Sequence, residues 1–131
     1  MQGKPLNRAH VRHLLARISL AFVFISIGIW EIVQPSYWGM YVPPFFSAII
    51  ATNTFVMIHG MALVLIGTAV LLGIYLRVAS ALAVLVMLTI VASLTFYFGF
   101  NDIVIRDIAI LLIAASLFFD DTEYLRVKIG R

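Results

Sequence analysis

The chain has 131 residues, of which 63% are hydrophobic and 11% are charged, and its formal net charge is +3. Soluble domains are about 45–50% apolar and about 25% charged, so this composition excludes an ordinary soluble domain and predicts an integral membrane protein. The chain contains no cysteine, which excludes disulfides and thiol redox chemistry.

Four apolar stretches are long enough to cross a bilayer as helices. They cover residues 14–33, 54–76, 78–98 and 103–119. A hydrocarbon core of about 30 Å requires roughly 17 to 25 helical residues. The stretches are continuously apolar and do not alternate, which favours helices over a β-barrel. The predicted fold is all-α, a single transmembrane domain over residues 1–131 arranged as a four-helix bundle.

Basic residues are concentrated on one side of this predicted topology. They lie before or at the start of the first span, between the second and third, or after the fourth: Lys4, Arg8, Arg12, Arg17, Arg77, Arg126, Lys128 and Arg131. The links 34–53 and 99–102 contain no Lys or Arg. The positive-inside rule therefore places both termini in the cytoplasm and the chain in the cytoplasmic membrane as a multi-pass protein.

The cytoplasmic end of this topology carries two further predictions. The first span is too long for the core of a signal peptide and no small-residue cleavage site follows it, so we expect a retained anchor. Arg17 and Arg77 lie close to the cytoplasmic boundary, where their long side chains are expected to reach lipid phosphates. His10 and His13 are spaced i, i+3, but without a nearby carboxylate they do not specify a metal site.

Three of the predicted spans bring ionisable side chains to one depth in the membrane. Glu31 lies near the outer end of the first span, His59 lies five residues after Thr54, and Arg106 and Asp107 lie about one turn inside the fourth span. At about 1.5 Å rise per residue, all four lie within roughly 10 Å of the outer boundary. Ionisable residues in a membrane usually face the bundle interior or a wet cavity. These four are the candidate ligand-binding or proton-relay residues.

The pairing within this layer follows from helix geometry. Adjacent residues on a helix point about 100° apart, so Arg106 and Asp107 are not expected to be each other's main partners. The economical arrangement pairs Arg106 with Glu31, and Asp107 with His59 or with a Tyr or Trp donor. A protonated His59 would neutralise the layer, which suggests proton-linked ligand binding. A structural ion pair, interfacial solvation or a simple interhelical hydrogen bond accounts for the same residues without a ligand.

The outer link QPSYWGMYVPPFF, residues 34–46, is uncharged and rich in aromatic residues. Trp38, Tyr41, Pro43 and Pro44 are candidate residues of an interfacial loop that either forms an aromatic belt or covers the polar layer as a lid. The apolar segment 45–52 is too short to span, so we expect a re-entrant turn or an outward extension of the second helix. We identify no catalytic residue set, and nothing specifies a self-contained enzyme.

Three segments resemble the DoxX and DoxX-like family of small membrane proteins. They are ARISLAFVFISIGIWEIVQPSYWGMYVPPF, GTAVLLGIYLRVASAL and IVIRDIAILLIAASL, which together cover most of residues 16–118. The most specific parts of the resemblance are the Arg106-Asp107 pair and the spacing of Gly67, Gly73 and Arg77. The resemblance implies a four-helix integral membrane protein in which Arg106 and Asp107 occupy family-type polar positions.

The resemblance also implies a function, as a small subunit or accessory of a membrane oxidoreductase; one named relative is a subunit of thiosulfate:quinone oxidoreductase. The implied cofactor is a bound quinone, with none intrinsic to the chain. The implied partners are membrane lipids and other subunits of a membrane complex, or further copies of this chain, and not nucleic acid. Two alternatives stay open: a non-catalytic anchor or assembly subunit, and a small-solute or proton transporter acting as an oligomer.

Overall fold

A computed structural model describes the backbone of residues 7–129 and the side chains up to residue 120. The elements are helices Arg8–Val33 (α1), Pro35–Trp38 (α2), Pro44–Ser47 (α3), Thr52–Leu72 (α4), Leu76–Phe98 (α5) and Asp102–Ile129 (α6), with a 3₁₀ turn at Gly39–Tyr41. Over these residues the secondary structure is entirely helical, which confirms the all-α prediction for the described part of the chain.

Three of these helices, α1, α4 and α5, are long and apolar enough to cross a membrane. Judged on the described residues, α6 does not meet the same criteria of length and composition for a membrane-spanning helix. Its first two turns carry Asp102, Arg106 and Asp107, and charged side chains raise the free energy of insertion. The composition of three helices thus supports a membrane protein, whereas the fourth span remains a prediction.

Two asparagines set the starts of the first and last long helices. The side-chain oxygen of Asn7 accepts a hydrogen bond from the backbone N–H of Ala9 at 3.1 Å. The side-chain oxygen of Asn101 accepts one from Val104 at 3.1 Å. The first N–H groups of a helix have no partner within the helix, so such caps stabilise its start.

The second predicted span ends four residues earlier than its composition indicates. Helix α4 stops at Leu72, and Gly73 adopts the left-handed conformation with φ +72°. The N–H of Ile74 then bonds to the carbonyl of Ala69 at 3.0 Å, which completes a Schellman-type helix end. The end predicted at Leu76 is therefore wrong, because apolar composition continues through a turn that the backbone of Gly73 creates.

Arg17 forms hydrogen bonds to the C-terminal end of α4. Its Nε donates to the carbonyl of Val70 at 3.1 Å and its Nη2 donates to the carbonyl of Leu71 at 2.8 Å. The last carbonyls of a helix lack helical partners and carry partial negative charge, which a guanidinium compensates. Arg17 therefore binds α1 to the C-terminal end of α4.

The long helices pack as two close pairs, α1 with α4 and α5 with α6, and narrower contacts join α1 to α6 and α4 to α5. Buried apolar residues on all four helices form the core: Leu20, Phe24, Leu63, Val70, Ala83, Met87, Ala114 and Leu117. In the α1–α4 pair the backbones approach closely, because glycines face each other there. The narrower contacts leave space between the two pairs.

The link between α1 and α4 is folded into short helices that start at prolines. Pro35 begins α2 and Pro44 begins α3, where the missing proline N–H has no helical partner to lose. α2 packs on both α1 and α4, and α3 packs on α4. The outward extension of the second helix into residues 45–51 is wrong, since α4 begins only at Thr52.

Candidate functional site

A cavity of about 570 Å³ lies between the two helix pairs. Its lining comes from α1, α4, α5, α6 and the α1–α4 link, and most of the lining side chains are apolar or aromatic. All four residues of the predicted polar layer lie in its wall: Glu31, His59, Arg106 and Asp107. The structure therefore brings together the residues that sequence reasoning placed at a common depth.

Glu31 and His59 form one polar pair in the cavity wall. The Oε2 atom of Glu31 lies 2.7 Å from Nδ1 of His59. The Glu31 side chain is 8% exposed and the His59 side chain 26% exposed. With an ionised Glu31, Nδ1 carries the hydrogen and donates it, so the carboxylate sets the tautomer of the imidazole. The expected pairing of Glu31 with Arg106 is therefore wrong.

Arg106 and Asp107 form the second pair. The Nε of Arg106 donates to Oδ1 of Asp107 at 2.9 Å. The Asp107 side chain is only 6% exposed, whereas that of Arg106 is 50% exposed. The 100° rule applies to the Cα–Cβ directions, but the arginine side chain is long enough to turn back toward its neighbour. The expectation that these residues pair only with other helices, Asp107 with His59 included, is wrong.

A glycine contact brings the first pair together. A Cβ placed on Gly60 would lie 2.7 Å from the carbonyl oxygen of Gly28 and 2.9 Å from the Cβ of Glu31. Gly60 therefore leaves the space that Glu31 occupies, and its neighbour His59 lies within reach of the carboxylate. Sequence reasoning did not single out Gly28, whose signal is its position one helical turn before Glu31.

Stacked aromatic rings support the imidazole of His59. The ring of Phe55 stacks on His59 with centroids 6.3 Å apart and planes 17° apart. Phe46 of α3 stacks on Phe55 at 4.8 Å and 25°. All three rings line the cavity. Sequence reasoning did not single out Phe55 and Phe46, although the spacing of Phe55 and His59 by four residues predicts contact on one helix face.

The α1–α4 link supplies part of the cavity wall. Of the four candidate lid residues, Trp38, Tyr41 and Pro43 line the cavity. Pro44 does not belong to the lining and instead starts α3 with an exposed side chain. Tyr37, which sequence reasoning did not single out, also lines the cavity and stacks on Trp30 at 5.2 Å.

The two tryptophans at the cavity differ in their hydrogen bonding. The Nε1–H of Trp30 donates to the side-chain oxygen of Gln34 at 3.1 Å. The Nε1 atom of Trp38 is buried and has no hydrogen-bond partner within the described part of the chain. A buried donor without an acceptor costs about 1–3 kcal/mol. Trp38, whose side chain belongs to the cavity wall, therefore carries a buried donor that no described residue satisfies.

His13 lies away from this site, near the start of α1. Its Nδ1 atom is 3.7 Å from Oδ2 of Asp120 on α6. Among residues 7–120, whose side chains are described, no three His, Cys, Asp or Glu residues group in a way that could hold a metal ion. His13 instead offers α1 an ion-pair contact with α6 when the imidazole is protonated.

Comparison with known proteins identifies no relative, since no family model, curated protein or solved structure matches the chain. The geometry of the cavity is therefore the basis for interpreting the site. Two polar pairs, one on α1 and α4 and one on α6, share a largely apolar and aromatic wall. Such a wall can hold a lipophilic ring and contact its polar substituents.

Proposed function

We propose that this chain is a DoxX-like membrane protein with four spans, whose cavity holds the ring of a lipophilic quinone within a membrane oxidoreductase complex. The observation that carries the proposal is the cavity of about 570 Å³ with two polar pairs in an apolar, aromatic wall. Small-molecule sites have volumes of about 300–1,000 Å³ and combine such walls with a few polar groups. The resemblance of residues 16–118 to the DoxX-like family supports the same function.

The chemistry of the wall suits a quinone. A quinone ring stacks on aromatic side chains, and its oxygens accept hydrogen bonds from donors such as the guanidinium of Arg106 or the indole of Trp38. Its apolar tail is compatible with the lipid around the helices. Because the chain has no cysteine, its side chains offer no thiol redox couple, and electrons would be supplied by a partner subunit.

The fourth span and the orientation belong to the same proposal. The contact of His13 with Asp120, at 3.7 Å, brings the far part of α6 to the beginning of α1. This contact supports the proposal that α6 crosses the same membrane as α1, in the opposite direction. The absence of Lys and Arg from links 34–53 and 99–102 supports placing those links outside and both termini in the cytoplasm.

Cysteine labelling tests the topology, because the natural chain has no cysteine to react. Single variants His10→Cys, Ser36→Cys and Asp120→Cys are treated in intact cells with a membrane-impermeant maleimide. We expect Ser36→Cys to react, and the other two to react only after the membrane is permeabilised. Labelling of Asp120→Cys from outside would contradict a spanning α6.

Native purification tests the function. The protein is extracted gently from its membrane, and mass spectrometry identifies the proteins and lipophilic molecules that accompany it. We expect a bound quinone and a redox subunit in stoichiometric amount. A protein that emerges alone with ordinary lipids would contradict the proposal and direct attention to transport assays, and a stable complex with no redox subunit would favour an assembly role.

A matched pair of variants assigns the quinone to the cavity. Ser93 lines the cavity on α5, whereas Ser26 is exposed on α1 and does not belong to the lining. Ser93→Phe places a ring in the cavity, and Ser26→Phe adds the same volume outside it. We expect the quinone to be lost from Ser93→Phe and retained by Ser26→Phe. Retention by both would place the quinone elsewhere.

A further inference from the structure

We propose that the Glu31–His59 pair is a hydrogen-bond acceptor for a ring hydroxyl, so that the cavity prefers the hydroquinone form of its ligand over the quinone form while His59 is neutral. The inference rests on the proposed function and names the form of ligand that the same site selects. It involves binding only, with no transfer of electrons.

The hydrogen bond between Glu31 and His59 determines which ring nitrogen of His59 can accept a hydrogen bond from a ligand. Glu31 is buried and its carboxylate lies 2.7 Å from Nδ1 of His59. An ionised carboxylate can only accept a hydrogen bond, so the hydrogen of a neutral imidazole lies on Nδ1. The other ring nitrogen, Nε2, then carries a lone pair. Nε2 forms no hydrogen bond with any described residue, and the ring lies in the cavity wall.

The orientation of this lone pair is held from two sides. The carboxylate of Glu31 holds one edge of the imidazole, and the ring of Phe55 stacks on its face. A ring held in this way loses little rotational freedom when it binds a ligand, which strengthens a directional hydrogen bond. A hydroquinone hydroxyl can donate to Nε2, whereas a quinone carbonyl would present one lone pair to another.

Protonation of His59 reverses this preference, because both ring nitrogens of an imidazolium are donors. The titratable and charged groups that line the cavity with His59 come from three other elements and the 3₁₀ turn: Glu31 on α1, Tyr37 on α2, Tyr41 in the turn, and Arg106 and Asp107 on α6. The polar lining of α5 consists of Thr89 and Ser93, which do not titrate in the accessible range. Lowering the pH should therefore move the preference from hydroquinone toward quinone.

The test measures binding of three probes under anaerobic conditions: a decyl-benzoquinone, its hydroquinone, and the dimethyl ether of that hydroquinone. The readout is the fluorescence of Trp30 and Trp38, since these two tryptophans of the chain both line the cavity. At neutral pH we expect the hydroquinone to bind about tenfold more tightly than the ether or the quinone, as one net hydrogen bond provides. The ether carries methyl groups in place of the donor hydrogens, and the quinone lacks those hydrogens without the added methyl groups.

His59→Asn is the decisive variant, because its amide can still donate toward Glu31 but it has no ring nitrogen at the position of Nε2. We expect this variant to bind the hydroquinone at most about twofold more tightly than the quinone or the ether. His13→Asn, outside the cavity lining, should retain the preference for hydroquinone. The preference for hydroquinone is also measured in the unaltered protein over a series of pH values. This measurement tests the proposal even if the variant does not fold.

The outcomes separate the two proposals. Failure of all three probes to bind would reject the quinone site itself. Equal binding of all three to the unaltered protein, or a preference that does not change with pH, would reject the role of Glu31 and His59 and leave the quinone site in place. A preference for hydroquinone that persists in His59→Asn would also reject the role of Glu31 and His59.

Discussion

Gly28 of α1 and Gly60 of α4 face each other so closely that a Cβ on either would lie within 2.7 Å of the other's carbonyl oxygen. Their contact places Glu31, one turn after Gly28, beside His59, which precedes Gly60. This close backbone contact between α1 and α4 and the Glu31–His59 pair are therefore parts of one arrangement.

Gly60→Ala is expected to separate α1 from α4 and to weaken the Glu31–His59 bond. The added methyl meets the backbone of Gly28 and the Cβ of Glu31, neither of which is the end of a flexible side chain. Overpacking costs about 1–3 kcal/mol, which outweighs the roughly 1 kcal/mol that alanine gains over glycine in a helix. Thermal unfolding in detergent should show a lower midpoint.

Gly39→Ala is the control for this change. A Cβ on Gly39, in the α1–α4 link, would lie 3.1 Å from the Cγ2 methyl of Thr52 at the start of α4, which is a contact with a side chain and not with backbone. We expect a smaller loss of stability than for Gly60→Ala. Equal midpoints for the two variants would show that the α1–α4 backbone contact does not limit stability.

Arg17→Met is expected to destabilise the protein by about 1–2 kcal/mol, because it removes two charge-assisted hydrogen bonds to the end of α4 in a partly exposed position. The methionine keeps an apolar stem of similar length. Arg12→Met, on an exposed position of α1, removes the same charge without this contact. Urea or thermal unfolding in detergent compares the two. An equal loss of stability in both variants would show that Arg17 contributes only through its charge and not through its hydrogen bonds to α4.

Arg106→Met is expected to destabilise the protein more than the double change Arg106→Met with Asp107→Asn. The single change leaves the buried carboxylate of Asp107 without its guanidinium. Breaking a buried pair costs several kcal/mol, but Arg106 is half exposed, so we expect about 1–3 kcal/mol. A double-mutant cycle based on thermal unfolding measures the coupling. Additive effects would mean that the two side chains do not stabilise each other.

Trp38→Phe is expected to leave the stability of the ligand-free protein nearly unchanged. The smaller ring loses contact area, but the change also removes a buried N–H that has no acceptor within the described residues. Quinone binding should weaken about tenfold if the ligand supplies that acceptor. Trp30→Phe is the control, because the N–H of Trp30 already bonds to Gln34. Each variant keeps one tryptophan as a fluorescent reporter, and equal affinities would argue against a bond from Trp38.

Composition alone predicted the long helices well, since continuous apolar runs require helices in a membrane. It failed where backbone conformation interrupts an apolar run. Leu71 to Leu76 remains apolar apart from Gly73 and Tyr75, yet Gly73 with φ +72° ends α4 and Tyr75 with φ 44° precedes α5. A glycine within an apolar run does not by itself reveal which of its conformations it adopts.

The grouping of the candidate site residues was also predictable, because the rise per residue of a helix converts sequence position into height along the bundle. Glu31, His59, Arg106 and Asp107 accordingly line one cavity. Their pairing was not predictable, since it depends on how each helix is rotated and how closely neighbouring helices approach. The contact of Gly28 with Gly60 brings α1 and α4 close enough for Glu31 to pair with His59. The side chain of Arg106 turns back along α6 and pairs with Asp107. The amino-acid sequence by itself thus determined the helices and the grouping of the polar residues, whereas tertiary packing decided their partners.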